Sequence, residues 1–164
     1  MTISVPTFRA AMSQFPGAVT LICTGTGEDR RGITATAVCS VTDSPPSLLA
    51  CVNRASGTRE AIVANGRFSV MLLDTGATEI ARHFAGATGA TGAAKFALGD
   101  WETFPCGLPM LRTAPVALAC AVTEVIEVGS HSVFIGRIEE ARLGEGAAVV
   151  YAGSAFHGLA RLAG

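Results

Sequence analysis

Charge is what this chain has least of. Only 15% of its 164 residues are Asp, Glu, Lys or Arg, and they nearly cancel to a formal net charge of -1. Without a basic excess there is no polycationic face to neutralise a phosphate backbone, which excludes nucleic acid as the main partner. So few charges cannot cover the whole surface of a monomer of this size, which favours a homodimer that hides part of it. Long apolar runs are missing as well. The longest uncharged apolar stretch, near residues 114–123, is too short to span a bilayer, and the N-terminus carries no charged-then-apolar leader pattern, so no membrane partner is expected. The five cysteines form no C-x-x-C pair and have no His at zinc-finger spacing. Four sit in apolar runs, where a thiol acts as a small hydrophobe, and the odd count fits the reducing cytoplasm.

Catalytic signatures are scarce too. There is no G-x-S-x-G, and no acidic pair set in apolar runs; Glu124 and Glu127 are three apart on a strand and point to opposite faces. Gly25 and Gly27 are followed by a strand-like run, which rules out a dinucleotide fingerprint. The Gly-rich run at 86–94 lacks the Walker spacing, since Lys95 is followed by Phe96, and reads as a mobile surface loop. An enzyme with no acid, base or metal of its own must take its chemistry from a cofactor.

What is present is a β pattern. The 49% hydrophobic content suits one globular domain over residues 1–164. Residues 7–15 space Phe8, Ala11, Met12 and Phe15 as a helix that Thr7 could cap. Strands are expected at 18–24, 32–42, 47–53, 67–73, 115–128, 131–143 and 148–153, with a Pro45-Pro46 loop and a tight turn at Gly129-Ser130. Short helices are expected from about Thr58 to Asn65-Gly66 and over 77–86. With no long α/β alternation, the fold class is mainly β with short helices, an antiparallel barrel or sandwich.

Within strand 32–42, Thr34, Thr36, Val38, Ser40 and Thr42 share a face that is too polar for a dry core and too small to fill space. Small side chains there would let a planar ligand approach the backbone; a solvated strand face rich in Thr fits the strand equally well. Strand 47–53 ends in Asn53, and Ser56, Gly57 and Thr58 open a helix beside Arg54 and Arg59. That is a seat for an anion, or an ordinary N-cap with two solvated arginines. His131 follows the turn, where it either meets a ligand or is an exposed loop histidine. Gly136 marks a bulge or a close approach. His83, near a helix end, complements the helix dipole.

The stretch "GITATAVCSVTDSPPSLLACVNRASGT", together with "HFAG", "VGSHSVFIGRI" and "VVYAG", resembles the flavin reductase-like family. These are small NAD(P)H:flavin oxidoreductases that serve two-component flavin monooxygenases. The resemblance runs from Phe8 to about Leu159. It implies an FMN-binding split β-barrel of Greek-key antiparallel topology, a homodimer, FMN or FAD as cofactor, NADH or NADPH as hydride donor, and a monooxygenase partner that receives reduced flavin. Carried over, Thr34, Ala35, Thr36, Ala37 and Ser40 would face the flavin ring and ribityl chain. Asn53, Ser56 and Thr58 would hold the ribityl and phosphate end, and Phe84, Ala85 and Gly86 would border the flavin. His131, as the catalytic candidate, and Tyr151 would flank the nicotinamide. Ser130 stands where relatives carry Asp, and "GSAF" at 153–156 departs from the family's run; both touch the donor side. A non-catalytic flavin carrier or sensor on the same barrel is the alternative.

Overall fold

The computed structural model describes residues 2–162. The chain opens with helix α1 (Val5–Met12), capped by Ser4, whose hydroxyl accepts the Thr7 N–H at 3.2 Å. Thr7 therefore lies inside the helix, and Phe15 lies beyond its end. The cause is local: Ser4 is the better-placed cap, and Pro6 is tolerated in the first turn.

Twelve strands follow in chain order: β1 (Gly17–Ala18), β2 (Thr20–Thr24), β3 (Arg31–Ala35), β4 (Val38–Asp43), β5 (Pro46–Asn53), β6 (Arg67–Leu72), β7 (Trp101–Thr103), β8 (Pro109–Leu111), β9 (Val116–Val128), β10 (His131–Leu143), β11 (Val149–Ala152) and β12 (Ala155–Gly158). Helix α2 (Gly57–Asn65) separates β5 from β6, and α3 (Thr78–Phe84) follows β6. Seven strands form the main antiparallel sheet in the order β3-β2-β6-β9-β10-β5-β4. Its two edges, β3 and β4, are consecutive in the chain. The sheet therefore curls until its edges meet at a corner, but the ladder does not close across it. This is the split barrel the sequence resemblance implied.

The corner corrects one expectation. Residues 32–42 are two strands, not one, and the break at Thr36-Ala37 ends the alternation that put Thr34, Thr36, Ser40 and Thr42 on one face. Before the break, Thr34 turns toward α3, and its hydroxyl donates to the Ala81 carbonyl at 2.5 Å. After it, β4 runs as an edge strand exposed on both sides from Cys39 to Asp43, Ser40 included.

Alternation elsewhere supplies two cores. In β2, Leu21 and Cys23 join Met71, Leu73, Phe84 and Leu111 on the α3 side of the sheet. Ile22, from the same strand, joins Val52, Ile62, Phe68 and Phe134 on the other side. Buried on both faces, β2 is the spine of the fold. Gly136 satisfies both of its expectations: the β9–β10 register slips between Ile135 and Gly136, and a Cβ there would lie 2.6 Å from the Phe68 ring. The Gly129-Ser130 turn forms as expected, with Gly129 at φ 54. A small second sheet, β1-β11-β12, lies at the corner, where a Cβ on Gly17 would meet Thr36 at 2.7 Å.

Candidate functional site

Strand β3 is an edge, bonded only to β2. The Gly32 carbonyl leaves the ladder to accept from Lys95 Nζ at 3.1 Å. By the pleat, the N–H and C=O of Thr34 lie on the same open edge, free for a ligand. Two cavities lie along this edge. The first, of about 660 Å³, is bounded by Thr34, Ala35 and Thr36, by Arg82 and Ala85 of the α3 end, and by Tyr151 and Phe156. The second, of about 500 Å³, begins at Arg31, Gly32 and Ile33 and is closed by Ser56, Gly57 and Thr58, by the loop Gly86–Gly92, and by Lys95.

The first cavity has an aromatic mouth. Tyr151 and Phe156 face each other edge to face at 5.1 Å on the β11–β12 hairpin, and the Arg82 guanidinium lies 5.3 Å from the Phe156 ring centre. The Arg82 guanidinium makes no hydrogen bond or ion pair among the described residues, which leaves its charge available at the mouth.

The second cavity is cationic. Ser56 caps α2, its hydroxyl accepting the Arg59 N–H at 3.3 Å, so the free N–H groups of the first turn open onto the cavity. Arg31 donates to the Glu28 and Arg30 carbonyls and lies against Gly92, where a Cβ would stand 3.5 Å from Nη1. Lys95 Nζ is held by the Gly32 and Phe84 carbonyls, the latter at 2.7 Å. An ammonium carries three protons, so one remains for a ligand. Burial lowers the Lys95 pKa, with the opposing influence of Cys23 smaller.

These cavities bring together Thr34, Ala35, Thr36, Ala85 and Tyr151 at one end and Ser56, Thr58 and Gly86 at the other. Phe84 lies behind the wall, fully buried against Phe96 and Trp101, and contributes its carbonyl. Ala37 is exposed at the corner, its carbonyl accepting the Cys51 N–H at 3.0 Å. Asn53 and His131 face each other at the end of the β5–β10 ladder. The Asn53 side chain accepts the Ala55 N–H at 2.9 Å, shaping the turn into α2, and His131 Nδ1 lies 2.9 Å from the Ser130 hydroxyl. Neither borders either of these two cavities.

Two charge expectations change. Arg54 and Arg59 are spoken for by Glu127, at 3.0 and 2.6 Å, and neither lines the second cavity. The cations that do border the cavity are Arg31 and Lys95, which sequence reasoning passed over. The available signal was that Lys95 is the chain's single lysine. The loop 86–94 is also not a free surface loop, because it folds back as a wall of the second cavity.

A split antiparallel barrel with a cationic pocket and an aromatic-mouthed pocket along one strand edge defines a nucleotide-cofactor protein. The model of the flavin reductase like domain matches residues 12–160. A 4-hydroxyphenylacetate 3-monooxygenase reductase component from Pseudomonas aeruginosa is 44% identical over 153 residues, 93% of this chain and 90% of that protein. An FMN reductase (NADH) RutF from Pseudomonas syringae is 40% identical over 158 residues, 96% of this chain and 88% of that protein. The solved NADH:FAD oxidoreductase SgcE6 of Streptomyces globisporus superposes with a TM-score of 0.88 at 29% identity, covering 99% of both chains. This chain belongs to the flavin reductase like family, and it is a flavin reductase.

Proposed function

We propose that this protein takes FMN or FAD along the β3 edge, reduces it with NADH or NADPH, and releases reduced flavin to a partner monooxygenase. The observation that carries the reading is the alignment of the two cavities. From Arg31 to Thr36 the strand advances roughly 16 Å, the scale of a flavin mononucleotide from phosphate to ring. The cationic end fits a phosphate: α2 amides, Arg31 and Lys95 all converge there. The small residues Thr34, Ala35 and Thr36 let a ring lie against free backbone groups.

A bound flavin would supply the redox chemistry, accepting hydride at N5. The chain's own part is placement. Gly32 lets the wall lie flat, since a Cβ would meet Phe84 at 2.7 Å and Cys23 at 2.8 Å. The Thr34 edge offers a backbone donor and acceptor to ring heteroatoms. Tyr151 and Phe156 bound the open side, where a nicotinamide would stack, so that proximity and orientation carry the rate. Arg82 at that mouth suits an anionic part of the donor. No step in this reading uses His131. The relatives' names support a monooxygenase partner: the similar protein from Pseudomonas aeruginosa is named as the reductase component of 4-hydroxyphenylacetate 3-monooxygenase.

A homodimer is part of the proposal. The outer side of β4-β5-β10-β9 is largely apolar in register, with Cys39, Leu49 and Ile135 in one row, which ends at Glu124 on β9, and Cys51, Val133 and Ile126 in the next. Helix α1 buries none of its residues and exposes Val5, Phe8 and Met12. Such unpartnered faces suit a second copy. We place the protein in the cytoplasm; all five cysteines are free, which suits a reducing compartment. Among the described residues no helix is long and apolar enough to cross a membrane.

The test is oxidation of NADH and of NADPH with excess FMN or FAD. Flavin-dependent oxidation above the protein-free rate supports the reading. Tight flavin binding without it would leave a carrier.

A further inference from the structure

His83 is buried, with 9% of its surface exposed, and both of its ring nitrogens are engaged. Nε2 lies 3.0 Å from the Lys95 carbonyl and Nδ1 lies 2.8 Å from the Thr88 hydroxyl. A carbonyl only accepts, so Nε2 donates to that of Lys95, while Nδ1 and the Thr88 hydroxyl share the second hydrogen bond. The Thr88 oxygen in turn accepts the Ala90 N–H at 3.4 Å. One buried ring thus holds the Gly-rich loop at its middle and at its far end.

The loop needs such an anchor. Residues 86–92 are Gly, Ala and Thr only, with Gly86, Gly89 and Gly92 at φ 100, 74 and 56. They bring no large side chain to bury, and glycine loses the most freedom on ordering. Yet Gly86, Gly89, Ala90, Thr91 and Gly92 form a wall of the cationic cavity, and Lys95 follows after Ala93 and Ala94. The shape of that wall and the seat of Lys95 both depend on what fixes the loop.

We infer that His83 and Thr88 are positioning residues for recognition of the ligand's phosphate, acting through the 86–92 loop and the Lys95 backbone. The inference rests on the flavin-site reading above, in which this cavity holds the phosphate. It predicts a specific loss: discrimination between FMN and riboflavin, which differ only in that group.

The experiment titrates FMN and riboflavin against wild type, His83→Phe, His83→Gln and Thr88→Val by flavin fluorescence, with thermal unfolding of each variant. His83→Phe and Thr88→Val should weaken FMN about tenfold and leave riboflavin within about twofold. His83→Gln, whose amide can donate to the Lys95 carbonyl and accept from Thr88, should stay within about threefold of wild type for FMN. Thr88 is exposed, so Thr88→Val carries the test if His83→Phe fails to fold. Equal weakening of both flavins, or unchanged FMN affinity in Thr88→Val, overturns the positioning role. Wild type that binds flavin but does not prefer FMN to riboflavin overturns the phosphate seat itself, and the inference with it.

Discussion

The two ends of the cleft are built by opposite means. The end proposed for the ring is the Thr34–Ala35 end of strand β3, laddered to Leu21 and Thr20 of β2 and fastened to α3 by Thr34. The end proposed for the phosphate joins the start of that strand to a glycine loop, a helix start and two cations, held by side-chain hydrogen bonds to backbone carbonyls. A strand edge is rigid because each residue shares the ladder with its neighbours. The loop is rigid only while a few side chains hold it. Substitutions of similar chemistry should therefore cost little at the ring end and much at the phosphate end.

The largest effect should come at a residue on which strand and loop both lean. Phe84 packs on Phe96 and Trp101, lies against Gly32 of the strand, and gives its carbonyl to Lys95. Phe84→Ala should cost about 3–5 kcal/mol in urea unfolding, the usual price of a fully buried aromatic. It should weaken riboflavin and FMN together, because strand and loop lose the same support. Loss of FMN binding alone would show that the strand does not lean on Phe84.

Next in size is Lys95→Met, which keeps the stem and removes the charge. A charged hydrogen bond is worth about 1.5–3 kcal/mol, so FMN affinity should fall about tenfold to a hundredfold. Thr34→Val, a near-isosteric change at the ring end, removes only the bond to the Ala81 carbonyl. It should cost about 1 kcal/mol of stability and change FMN affinity less than about threefold. Fluorescence titrations of the two variants side by side read the contrast. If Thr34→Val weakens FMN as much as Lys95→Met, the ring end is not the self-supporting half.

The same contrast explains what the sequence made legible. The ring end could be read because period-two alternation and the β3–β4 motif are local. Thr34 and Thr36, which alternation marked, line the first cavity with Ala35, which only the resemblance pointed to, and the corner at Thr36-Ala37 carries Ser40 away to the edge of β4. A corner has no signature in a run of β-favoured residues; only closure of the barrel imposes it. The start of α2 could be read from its cap residues. Lys95 could not, since it reaches the cavity by bonding carbonyls 63 and 11 residues away, and no spacing rule encodes that. His83 was read as a helix-end cation for the same reason: its partners arrive with the loop. Arg54 and Arg59 looked like anion ligands until β9 brought Glu127 between them.

That Glu127 cluster supports the phosphate end from outside, and it gives the smallest effect. The Arg59 hydrogen bond, chiefly, holds the Glu127 carboxyl below the usual range, with Ser132 and Arg54 adding to it against some desolvation. In the unfolded chain the group titrates near pH ~4.3. Its folded value is lower, so its contribution to stability is full above the unfolded value and is lost as pH falls through the folded one. The cluster is exposed and screened by salt, so the contribution is small. Glu127→Gln should therefore lower the thermal midpoint slightly at neutral pH, and its midpoint should fall less steeply than that of wild type between about pH 5 and pH 3. The slope should not vanish, because Glu139, held low chiefly by Arg137, still titrates in the variant. The first turn of α2 loses its tie to β9 through Arg59, so FMN affinity should drop no more than about twofold, against the tenfold expected for the loop anchors. A larger loss than Thr88→Val would make the helix start, and not the glycine loop, the part of the phosphate end that depends most on side-chain support.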